Sequence, residues 1–177
     1  MVALRKKFPP RHEILVVYAT IVFLIYGWAT IAFFWKVPSW LYFMSLGEIA
    51  AILSYTFLSS LVECTLILLI FLAASLVLPS RLLSEKFAVR GSIVVYVLTF
   101  WVSLLNLISL IQLPTGSDFV SFGILFLLTV SLGLFLAERF SLVQNLLVKL
   151  GNRLTIFLYL WLPLSLLGIV VVLFRII

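Results

Sequence analysis

Charge is what this sequence has least of. Asp, Glu, Lys and Arg make up only 10% of 177 residues, where a soluble domain carries about 25%. Cysteine is nearly absent as well. A single Cys64 excludes an internal disulfide and any cysteine-based metal cluster. Histidine occurs once, as His12 beside Glu13. No HExxH, no Cys-x-x-Cys and no paired Asp motif accompanies it, so no resident metal or other cofactor is expected. Haem ligation inside a membrane normally uses histidines placed within the spans, and none is there. The glycines stand singly, without a phosphate-binding loop or a nucleophile elbow around them. Cys64 adjoins Glu63, but neighbours on a helix point about 100° apart, so they do not form a nucleophile–base pair. These gaps leave no recognisable catalytic set, and a non-enzymatic protein is expected.

Apolar residues fill the space. They are 65% of the chain, with a mean hydropathy of +1.34. A soluble fold of this size leaves roughly a third of its unfolded-chain surface in water. So apolar a chain needs lipid as its main solvent. A bilayer core of roughly 30 Å takes about 20 apolar residues per helix. The runs here are continuous rather than alternating, which selects helices over a β-barrel. The expected fold is therefore all-α, a polytopic integral membrane protein forming one domain over 1–177. Five transmembrane helices are placed at 14–35, 47–78, 91–111, 119–137 and 154–174. The first run is too long for a signal-peptide core and is read as a retained span.

Net charge is +6. In this context it points to anionic lipid head groups rather than nucleic acid. The five-span count puts Arg5, Lys6, Lys7, Arg11, Arg81, Lys86, Arg90, Arg139, Lys149 and Arg153 on one side, and Lys36 and Arg175 on the other. The positive-inside tendency then makes the N-terminus cytoplasmic and the C-terminus external. The ten are candidate head-group contacts. Trp35, Trp40, Tyr42 and Phe43 form an aromatic belt at the first outer connection, with Pro38 and Ser39 expected to break the helix there. Between the fourth and fifth spans, leucines and valines recur at helical spacing. This predicts an interfacial amphipathic helix over 138–150, ended by Gly151.

One polar feature stands inside the apolar runs. Thr56, Ser59, Ser60 and Glu63 fall within about a third of a helix circumference. Glu63 lies fifteen residues before Leu78, about 22 Å up the helix, in the outer third of the core. The same count on the third span reaches Asn106, which makes Glu63–Asn106 the expected hydrogen-bonded pair. Carboxyls in hydrocarbon usually face a bundle interior, a cavity or a partner. The seam is read as helix packing first, then as a partner or lipid contact, and last as a relay. The second span is also long, so it either projects outward or bends near Ser54–Ser60. Pro163, in mid-span, is expected to kink the fifth helix.

The expected role is an accessory, assembly or anchoring subunit of a larger membrane complex, in contact with the lipid bilayer and with other membrane subunits or copies of itself. The alternatives are a small transporter or channel component using the polar seam, and a membrane-embedded lipid-modifying enzyme. Glu48 is the weak candidate for the second carboxyl that such an enzyme requires. The short loops point to a multi-pass protein of a bacterial or archaeal plasma membrane.

Overall fold

A computed structural model describes residues 9–77, 86–109 and 116–176. All regular structure among them is helical: α1 (Arg11–Trp40), α2 (Leu46–Val77), α3 (Phe87–Ser109), α4 (Gly116–Arg139) and α5 (Ser141–Ile176). All five are long and apolar enough to cross a membrane. Each expected span lies within or nearly within one helix, and most of the helices are longer than the spans. With 30, 32 and 36 residues, α1, α2 and α5 extend about 45, 48 and 54 Å, well beyond the hydrocarbon.

The extra length corrects two expectations. Pro38 does not break the first helix, which continues to Trp40. Proline lacks only its own N–H donor, and near a helix end that loss falls on one carbonyl. Ser39 Oγ donates back to Lys36 O at 2.8 Å, inside the same last turn. The segment 138–150 is likewise not a helix of its own. The chain leaves helical geometry only at Phe140, and from Ser141 onward the amphipathic stretch is the start of α5. Its Val143, Leu147 and Val148 pack on Val89, Ile93 and Ala137 of α3 and α4. That contact gives the apolar face a protein neighbour. Gly151 does not end the helix either. It is buried within α5 against Val16. The second helix runs unbroken from Leu46 to Val77, and α5 continues through Pro163.

α1 is the hub. It packs against α5, α2 and α3, while α2 and α3 share no substantial contact with each other. Val16, Val17, Ala19, Ile21, Val22 and Tyr26 of α1 are all buried to within about 1% exposure. α4 is peripheral and buries only Ala137 among its described side chains. Two things bring the helices close. The first is glycine. A Cβ on Gly91 of α3 would lie 2.8 Å from Val17 Cγ2. A Cβ on Gly151 of α5 would run into Val16 Cγ1. Adjacent valines of α1 thus sit in notches cut by two different neighbours, the small-residue packing that membrane helices use.

The second is an aromatic and hydroxyl node. The Tyr26 hydroxyl lies 2.5 Å from Ser165 Oγ of α5 and donates to Phe57 O of α2 at 3.2 Å. Its ring stacks on Trp161, with centroids 5.3 Å apart, and Trp161 meets Phe57 edge-on at 5.5 Å. Such ring pairs add about 0.5–1.5 kcal/mol beyond area burial.

Polar contacts also gather at one end. Glu13 Oε2 of α1 accepts the Ala88 N–H at 2.9 Å, capping the first turn of α3 with a negative charge. Arg90 of α3 pairs with Glu138 of α4 at 2.7 Å. Lys86 Nζ donates to Gln144 Oε1 at 3.1 Å, and Gln144 Nε2 donates to Ala137 O at 2.6 Å. The starts of α1, α3 and α5 and the end of α4 therefore share one end of the bundle, as an alternating five-pass path requires.

Replacing Gly151 with leucine should overpack the α1–α5 contact. A loss of about 1–3 kcal/mol is expected, read as a lowered thermal midpoint in detergent. The same change at Gly123, which has no atom within 4 Å of a built Cβ, should leave the midpoint nearly unchanged.

Candidate functional site

Because α2 and α3 stand apart on two sides of α1, a groove of about 930 Å³ opens between them. Its floor is the α1 face from Ile21 to Ile31, including Leu24 and Trp28. One wall is α2 from Tyr55 to Phe71, and the other is α3 from Val95 to Asn106. All five seam residues from the sequence line it: Thr56, Ser59, Ser60 and Glu63 on α2, and Asn106 on α3. Thr99 and Ser103 of α3 line it too. The helical repeat made both of these findable. They sit seven and three residues before Asn106, on the same face.

Glu63 and Asn106 share the groove but are not bonded to each other. Glu63 Oε1 instead accepts from Ser59 Oγ, four residues back on its own helix, at 3.0 Å. An i, i+4 partner is always within reach on a helix, whereas a partner on α3 must cross the open width of the groove. The carboxyl therefore does not glue α2 to α3. Thr56 Oγ1 donates to Ile52 O at 2.8 Å and Thr99 Oγ1 to Val95 O at 2.9 Å. These hydroxyl donors are satisfied by the helix backbone, as is common for threonine in apolar helices.

Other expected residues are elsewhere. Cys64 is fully buried on the opposite side, in the core cluster with Tyr26 and Phe57. Glu48 is not near the groove. It forms a capping box with Ser45 at the start of α2, where its Oε2 accepts from Ser45 N at 2.8 Å and Ser45 Oγ at 2.9 Å. The Ser-x-x-Glu pattern of residues 45–48 was the available signal for that role. Arg90 is bound to Glu138 with only 13% of its side chain exposed, and Lys86 is on Gln144. Arg11, Arg139, Lys149 and Arg153 are exposed. Arg5, Lys6, Lys7 and Arg81 lie outside the described residues. Trp35, Tyr42 and Phe43 are more than 70% exposed at the turn between α1 and α2. Among the described residues, no group of three or more His, Cys, Asp or Glu is close enough to hold a metal ion.

No family model, curated protein or solved structure matches this chain. The groove must be read from its own chemistry. Glu63 is the one acidic or basic side chain among the described residues that line it. The walls are otherwise apolar side chains and short hydroxyls or amides. That set binds and orients, but it offers no second ionisable group for acid–base work.

Two substitutions separate fold from site. Tyr26→Phe should destabilise the isolated protein by about 1 kcal/mol, since it removes the hydroxyl that links α1, α2 and α5. Glu63→Gln should change stability by less than about 0.5 kcal/mol, because its bond is local and its side chain is exposed. Thermal or chemical unfolding in the same detergent reads both.

Proposed function

We propose that this chain is a non-catalytic integral membrane subunit, an assembly or anchoring factor of a larger membrane complex, and that it meets its neighbour through the α2–α3 groove. The observation that carries this reading is a carboxyl, Glu63, on the wall of a laterally open groove with no cross-helix partner among the described residues. Polar groups at such depths are costly in lipid and are normally covered. A catalytic reading finds little support. Membrane chemistry on lipids requires at least two convergent ionisable groups, and Glu48 is engaged in a helix cap instead.

The proposed setting is a plasma membrane of bacterial or archaeal type, with the Glu13, Arg90 and Lys149 end cytoplasmic. The excess of basic residues at that end supports this orientation. The first ten residues of α5 then lie at the inner surface, with exposed Leu142, Leu146 and Leu150 toward lipid.

A transporter or channel component is the second reading. Thr99 and Ser103 favour it, because they continue the polar row onto the facing helix. One copy leaves that row open to the side, so an enclosed path requires an oligomer.

Native mass spectrometry of gently solubilised membranes tests the first reading. Other chains should co-purify in fixed stoichiometry, and Leu98→Trp, which fills the groove, should release them. A lone monomer in good yield would count against it. Proton or ion flux in liposomes that Glu63→Gln abolishes would favour the second reading.

A further inference from the structure

The polar groups of the groove form a ladder. On α2, Thr56 and Glu63 are seven residues apart, about 10 Å along the axis; Thr99 and Asn106 on α3 are spaced alike. The two helices run in opposite directions, and Glu63 and Asn106 fall at the same depth by residue count. The α2 rungs therefore extend outward from that level and the α3 rungs inward. Together they follow about 20 Å of the groove.

The ladder is rich in acceptors and poor in donors. The Thr56 and Thr99 hydroxyls already give their protons to Ile52 O and Val95 O. Ser59 gives its proton to Glu63 Oε1. Oxygen lone pairs, the second carboxyl oxygen of Glu63 and the Asn106 amide are left facing the groove. A lipid chain would lay hydrocarbon over these acceptors and satisfy none. A helix with donors one or two turns apart matches their spacing, since interhelical hydrogen bonds in membranes recur with that repeat.

We propose that the groove seats a transmembrane helix of a different protein, which presents a lysine, an arginine or another strong hydrogen-bond donor to Glu63. This rests on the subunit reading above and names the chemistry of the partner. A second copy of this chain does not supply the group. Its lysines and arginines all lie at or beyond the ends of the spans, and none reaches the depth of Glu63. A charge-assisted bond between a cation and a carboxylate is about twice as strong as a neutral one. It therefore selects the partner as well as holding it, and the apolar floor around Leu24 and Leu98 supplies packing.

The test uses the full chain in phosphatidylcholine vesicles with a donor dye at its N-terminus. The probes are acceptor-labelled leucine–alanine transmembrane peptides, identical except for one lysine or one leucine in the outer third. Energy transfer should show the lysine peptide binding about tenfold more tightly, the factor that corresponds to about 1.4 kcal/mol. Glu63→Gln, an isosteric change, should bring the two peptides within about twofold. Leu98→Trp should block both. Equal binding of the two peptides to the wild type would overturn the proposal, as would a lysine preference that persists in Glu63→Gln. A phospholipid adduct that the wild type holds in native mass spectrometry and Glu63→Gln loses, with no peptide preference, would assign the groove to lipid and overturn it too. If other chains still co-purify while the peptides bind alike, the subunit reading stands and only this partner chemistry falls.

Discussion

The Tyr26 hydroxyl sits where three helices converge, against Ser165 of α5 and the Phe57 carbonyl of α2. Hydrogen bonds between membrane helices are few, because hydrocarbon supplies no competing partner and sequences carry few polar groups. This one is backed by Trp161, whose ring contacts both Tyr26 and Phe57. It fixes α2 and α5 to one side of α1. α3 is held from another side by different means: the Gly91 notch against Val17 and the Glu13 carboxylate on Ala88 N. Two separate attachments on one central helix leave α2 and α3 with nothing to bring them together. The groove is a consequence of that geometry.

Depth sets the character of the bundle from end to end. Charged pairs and caps collect where water and head groups are near: Glu13 on Ala88, Arg90 on Glu138, and Glu48 on Ser45. The middle is packed by aromatics and small residues. Glu63 is the exception, a carboxyl at a depth where its neighbours are leucines and phenylalanines. Its bond to Ser59 meets part of its need at no cost to the fold, since both lie on one helix. The remaining capacity faces outward, which is the arrangement of a group placed for another molecule.

Much of this was legible in the linear pattern. Thr56, Ser59, Ser60 and Glu63 share a face by helical period alone, and Asn106 follows from residue counts that assume alternating spans of similar depth. Both rest on constant rise and rotation per residue, which hold for any unbroken helix. Helix ends were less legible. Pro38 and Gly151 look like stop signals, yet both lie inside helices. A proline near a terminus forfeits little, and a glycine facing a valine earns its place by packing. Isolated glycines carry the same letter whether they end a helix or notch it, and only the neighbour tells them apart.

The sequence by itself determined the solvent, the number of apolar helices and the face on which the polar groups lie. Composition and period are local properties, and hydrocarbon enforces them segment by segment. The tertiary structure decided which helices touch. It placed Glu63 on an open groove wall with Asn106 across from it, sent Cys64 into the core and merged the amphipathic segment into α5. These outcomes depend on contacts between residues far apart in the chain, Tyr26 with Ser165 and Val17 with Gly91. No local period encodes which of several apolar faces will meet.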